Sequence, residues 1–214
     1  MVGTVPPVGS PVPTVTTVPF PRRPLEASDQ VRRWYENELG WPTVPGSPGS
    51  PVRLSVGRRF DVLDVPLDAG RAGLRRLAPE SPVAVQGDRM RLLLAAGSAD
   101  EVPGVLDWLE WGALPLDLTA VGEGGLMDAP PPPEPGSTGP RPLPAARSGT
   151  LDTLQGAAVW LRPPVPGREV EASLPTLSAL GGGGGAPDLV RLLDTVATQC
   201  HRLRLRARAQ PPAR

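Results

Sequence analysis

Arg59-Phe60-Asp61-Val62-Leu63-Asp64-Val65-Pro66-Leu67-Asp68-Ala69-Gly70 joins an apolar strand to a Gly-containing helix start. Phe60 to Val65 reads as the best central strand of the chain. Asp68 reads as the cap of a helix that runs through Leu74 and Leu77 and stops at Pro79. A carboxylate at the end of a buried strand is a common way to bring oxygen ligands to a hard divalent cation. Asp61, Asp64 and Asp68 are therefore the candidate metal ligands, with Asp64 the candidate catalytic acid. Strand parity separates them, because residues two apart share a face. Asp64 has Pro66 where a second ligand belongs, and Asp61 points to the other side of the sheet. Asp68 has the right parity but stands where a helix cap is wanted.

Outward from this stretch the chain alternates helices and strands. Ser28 caps an amphipathic helix carrying Val31, Trp34, Tyr35 and Leu39, with Gly40 as its stop. Trp41 to Val44 reads as a short strand and Val52 to Val56 as an edge strand. Val83-Ala84-Val85 and Met90-Arg91-Leu92-Leu93-Leu94 flank Gln86-Gly87-Asp88-Arg89, the pattern of a hairpin. Ser98 or Asp100 caps a helix with Val105, Leu106, Trp108, Leu109 and Trp111, stopped by Gly112. Leu116 to Val121, Gly125 to Ala129 and Ala157 to Leu161 are further strands. The order predicts an α+β domain with helices against a mixed, largely antiparallel sheet.

Composition sets the boundaries. Of 214 residues, 31 are Pro and 25 are Gly, a level typical of linker or disordered sequence. They fall in blocks. Residues 1–26 read as a disordered Pro-rich arm, 27–165 as the folded domain with a Pro-rich loop at 130–148, and 166–186 as a Gly-rich linker. Residues 187–214 read as a C-terminal amphipathic helix with a basic end, its stripe made by Leu189, Leu192, Leu193, Val196, Cys200 and Leu203. All 22 basic residues are Arg, and Lys and Ile are absent, which points to a GC-rich bacterial genome.

Formal net charge is zero, so strong nonspecific nucleic-acid binding is not indicated. One Cys and one His exclude a disulfide or a Cys/His zinc site within one chain. No signal segment and no long apolar run is visible, and a cytoplasmic protein without a membrane span is expected. Without Lys there is no Walker motif.

Leu39-Gly40-Trp41-Pro42-Thr43-Val44-Pro45, followed by Phe60-Asp61-Val62-Leu63-Asp64-Val65, resembles the start of the N-terminal domain of bifunctional DNA primase/polymerase proteins. That family has a Gly-Trp-Pro-Val-Phe-Pro-like segment before a strand ending in an Asp-x-Asp metal motif. Gly87-Asp88-Arg89-Met90-Arg91-Leu92-Leu93 lies where a Gly-Gly-Arg-His-like hairpin belongs. Gly122 to Pro131 is similar to a Gly-Gly-Tyr-Val-Val-Ala-Pro-Pro segment, and Gly136-Ser137-Thr138-Gly139 lies near a short Gly-containing turn of the family. The resemblance spans roughly residues 28–165. It implies a primase–polymerase-like core and nucleotidyl transfer with Mg²⁺ or Mn²⁺.

Two departures bear on that activity: Pro66 replaces the second carboxylate, and Met90 replaces the His. Two-metal transfer needs several convergent oxygen ligands, and one carboxylate is too few. The expectation is a degenerate, noncatalytic member that needs no cofactor and acts through protein or nucleic-acid interaction. An active nucleotidyl transferase using Asp64 is the alternative, and a regulatory or scaffold protein unrelated to replication is a third reading. Arg89, Arg202, Arg204, Arg206 and Arg208 are the candidate contacts to nucleic acid or a partner. The 187–205 helix stripe must bury either on its own domain, which is the default, or on another chain, which makes a protein partner or a homo-oligomer through that helix the alternative.

Overall fold

A computed structural model describes residues 27–46, 50–133, 156–177 and 187–209. The expected Pro-rich arm at 1–26 lies outside the described residues, as do most of the Pro-rich loop with its Gly136–Gly139 turn, the five-glycine run and the last five residues.

The architecture is α+β, in three layers built on one five-stranded sheet. Strands β1 (Thr43–Val44), β2 (Arg53–Ser55), β3 (Asp61–Pro66), β4 (Val83–Gln86), β5 (Arg89–Leu94), β6 (Thr119–Val121), β7 (Leu126–Asp128) and β8 (Val159–Arg162) form two sheets. The larger has the order β6-β3-β5-β4-β8 and the smaller β1-β2-β7. Every ladder is antiparallel. Helices are α1 (Ala27–Arg33, continued by a π-helical turn Trp34–Glu38), α2 (Leu67–Gly73), α3 (Ser98–Trp108) and α4 (Leu189–Ala209). Among the described residues no helix is long and apolar enough to cross a membrane.

Both faces of the large sheet are covered, which explains why its strands read as near-continuous apolar runs. On one face Leu63, Val65, Val83, Val85, Met90, Leu92 and Leu94 meet α2, α3 and α4 in an aliphatic core. On the other, Val62, Ala84, Leu93 and Trp160 meet Tyr35, Trp41, Phe60, Leu54 and Met127, from the small sheet and the α1 region. Trp41 and Phe60 ring centroids are 4.5 Å apart, and Tyr35 stacks on Trp41 at 6.1 Å. The Tyr35 hydroxyl donates to the Pro130 carbonyl at 2.7 Å and accepts from Trp160 Nε1 at 3.0 Å. Burial pushes that phenol well above its ordinary value, with the Trp160 bond acting in the opposite sense.

The helix layer depends on small residues. A side chain at Gly70 would place its Cβ 2.8 Å from the Met90 Cβ, so α2 can lie on β5 only with glycine there. At Gly73 the same atom would be 3.1 Å from Leu192 and Val196 of α4. The apolar stripe of α4 (Leu189, Leu192, Leu193, Val196 and Cys200) is buried in this layer, on its own domain. Asp188 caps α4, accepting from Val190 N–H at 2.9 Å and from Arg191 N–H at 3.3 Å.

Several sequence expectations are corrected. β2 is the middle of the small sheet, not an edge, because β7 pairs with its free side some seventy positions further along the chain. Asp68 does not cap α2: the helix starts at Leu67, no side chain caps it, and Asp68 faces Arg71 one turn on at 3.6 Å. Part of the expected linker is packed, since Val170 and Leu174 are buried and Ala95 N–H donates to the Pro175 carbonyl at 3.0 Å. The hairpin is as read, with Gly87 at φ +58° in a two-residue turn.

Candidate functional site

Asp64 and Asp61 leave β3 on opposite faces and meet different partners. On the small-sheet face, Asp64 lies directly across from Arg91 on β5, with Arg89 one pair further along. Its two carboxylate oxygens are both engaged. Oδ1 accepts from Arg89 Nε at 2.5 Å, and Oδ2 accepts from Arg91 Nε at 3.2 Å. Arg89 also donates through Nη1 to Asp117 at 2.7 Å and through Nη2 to the Asp64 carbonyl at 3.2 Å. Burial opposes the charge on Arg89, but the hydrogen bonds of Asp64 and Asp117 outweigh it and hold this guanidinium above its ordinary value. Nearby, Gln86 donates through Nε2 to Asp128 at 2.9 Å and to the Gly156 carbonyl at 2.7 Å, tying the large sheet to β7 of the small one. Two carboxylates balance two guanidiniums, with Asp64, Arg89 and Arg91 largely sheltered from water and Asp117 exposed at the edge of the network.

Asp61 is 1% exposed on the helix face. Its Oδ2 accepts from the Ala99 N–H at 2.8 Å, so a side chain from β3 caps α3. The expected caps, Ser98 and Asp100, are not used, because Gly97 at φ +85° turns the chain into the helix without a side-chain cap of its own. Burial pushes the Asp61 carboxyl above its ordinary value; bonds from Ala99 and Gly97 work against this, and the Asp100 charge adds to it. The second oxygen of Asp61 is buried without a hydrogen-bond partner.

The three candidate ligands therefore do not converge. Asp64 is bound to two arginines, Asp61 to a helix start, and Asp68 is paired with Arg71 at the surface. Among the described residues no group of three Asp, Glu, His or Cys side chains could hold a metal ion. The donor set at Asp64 does not suit Mg²⁺ or Mn²⁺: a cation there would displace two guanidiniums and would still lack the several oxygen ligands that it requires. Met90 is fully buried under α2 and packs against Gly70. Cys200 lies in the helix-face core, where burial, reinforced by the Asp117 carboxylate, pushes its thiol up to about 11. A thiol held there is a poor nucleophile at neutral pH.

The basic end of α4 has a different setting. Arg204 donates to the Pro115 carbonyl at 3.1 Å, which holds the turn after α3 against α4. Trp111, in that turn, donates through Nε1 to Asp194 at 3.1 Å and lies 5.9 Å from the His201 ring. Arg202, Arg206 and Arg208 are exposed, and among the described residues none enters an ion pair. Leu205 between them is half exposed, and Trp108 on α3 is 73% exposed.

Sequence reasoning missed Arg91, Asp117 and Trp108. The strand periods place Asp64 and Arg91 each on a definite face, but only the β3–β5 register brings them opposite. Trp108 stands among the apolar residues of its helix, and α3 turns it to the outside. Compared with protein-family models, curated proteins and solved structures, the chain matches none of them.

Proposed function

We propose that this chain is a primase–polymerase-like domain that no longer transfers nucleotides and acts by binding another protein. The observation that carries the reading is the state of Asp64, whose two oxygens are both taken by guanidinium groups. A carboxylate committed to Arg89 and Arg91 works as a cross-strand tie, and Arg89 is spent on Asp64 and Asp117 rather than offered to a phosphate. The partner is a protein rather than a nucleic acid because the net charge is zero and the exposed arginines of α4 adjoin a half-exposed leucine.

The test is primer synthesis and extension with Mg²⁺ and with Mn²⁺, comparing the full chain with Asp64→Ala. The expected result is no product from either protein with either metal. Metal-dependent product that is lost in Asp64→Ala would replace this reading with an active nucleotidyl transferase.

A further inference from the structure

The outer side of α3 carries Asp100, Glu101, Asp107 and Trp108, all exposed, while Val102 and Val105 face the core. Helical spacing gathers those three carboxylates and the indole into one exposed arc. No basic residue occurs between Ser98 and Ala113. The last two turns of α4 are the converse. Arg202, Leu205, Arg206 and Arg208 are exposed there, and no acidic residue follows Asp194 in the helix. Among the described residues none of these charged groups enters an ion pair within the chain. The helices that carry them, α3 and α4, are joined at a corner held by Trp111 on Asp194 and His201 and by Arg204 on the Pro115 carbonyl.

We infer that a second copy of this chain docks on this corner. An acidic surface with a protruding indole beside a basic surface with an exposed leucine is complementary to itself under a twofold rotation. Each α3 then faces the α4 tail of the other copy, and each contact is made twice. Other occupants fit half of the corner. An acidic peptide or a nucleic acid would match the arginines but meet the carboxylates of α3, and a basic peptide would have the reverse conflict. Trp108 and Leu205 supply the apolar anchors that exposed charges alone do not provide. The inference rests on the protein-binding reading above and names its partner.

The test is analytical ultracentrifugation of the full chain over a wide concentration range, at low and high salt. The expected result is a dimer that weakens as salt rises. Two sets of reversals then probe each side: Arg202→Glu with Arg206→Glu and Arg208→Glu, and Asp100→Arg with Glu101→Arg and Asp107→Arg. Each variant alone is expected to be monomeric, and a mixture of the two is expected to recover a heterodimer. Trp108→Ala is expected to weaken dimerisation about tenfold or more, in line with an aromatic anchor worth about 1.4 kcal/mol or above. Circular dichroism melts of the surface variants check that each remains folded. A wild-type monomer at every concentration, an open polymer in place of a dimer, or a dimer indifferent to both reversals would each overturn the inference. Primer synthesis is measured on the same samples: Asp64-dependent product defeats the noncatalytic reading, whereas a monomer without product defeats only the self-association.

Discussion

The two faces of the five-stranded sheet are buried by different chemistry. Apart from Asp61 under α3, the helix face is aliphatic, filled mainly by Leu, Val and Met side chains that carry no hydrogen-bonding obligation. The small-sheet face is aromatic at one end, with Tyr35, Trp41, Phe60 and Trp160, and ionic at the other, with Asp64, Arg89 and Arg91. An aliphatic layer is held by volume, whereas an aromatic and ionic layer is held by particular partners in particular places. Asp61 and Asp64 on a single strand illustrate the contrast. One is absorbed by a helix start and the other by a pair of arginines.

The largest test of the contrast is a pair of substitutions, one on each face. Trp41→Ala removes a ring in contact with three other aromatics and is expected to cost about 3–5 kcal/mol in urea unfolding. Leu192→Met, on the helix face, keeps the volume and is expected to cost less than about 1.5 kcal/mol. Equal losses would break the distinction.

Tyr35→Phe comes next. It removes one hydroxyl but strands the Pro130 carbonyl and the Trp160 N–H, with an expected loss of about 1–3 kcal/mol despite the small change in volume. A neutral result in thermal unfolding would show that this layer, too, is held by volume alone.

Asp61 sharpens the comparison through pH. Asp61→Ala removes the cap on α3 and is expected to cost about 0.5–2 kcal/mol. Burial raises the folded-state carboxyl above its ordinary 3.8, so the folded protein holds this proton more tightly than the unfolded chain does. The contribution of Asp61 is therefore full below the unfolded value and is lost as pH rises through the folded value. Subtracting the stability profile of Asp61→Asn from that of the wild type should reveal a fall in that window. A flat difference would mean that the carboxyl titrates as it does in the unfolded chain. The smallest effect belongs to Asp68→Ala, where an exposed pair with Arg71 is lost and less than about 0.5 kcal/mol is expected in a thermal melt.

What could be read from the sequence was what is local. The β4–β5 hairpin follows from Gly87 and its neighbours, and β3 follows from Val62, Leu63 and Val65 set between two aspartates. The opposite facing of Asp61 and Asp64 follows from the period of a strand. The remainder depends on chain segments far apart in sequence. β2 reads as an edge until β7 arrives beside it, and α3 lacks a cap until Asp61 is brought under it. The carboxylate of Asp64 looks available until β5 supplies its arginines. Residues 166–177 look like linker by composition, yet Val170 and Leu174 complete the aromatic layer. Pro and Gly content reports how stiff a segment is, not whether it has something to pack against.

The burial of α4 has a consequence for how the chain is made. α4 lies across α2, with Leu192 and Val196 against Gly73, and both are separated in sequence by more than a hundred residues. A ribosome delivers the sheet long before the helix that covers it. Until α4 emerges, Leu63, Val65, Leu92 and their neighbours face solvent, and the nascent chain is open to aggregation or chaperone capture. The aliphatic layer of the sheet is thus completed only once α4 has emerged.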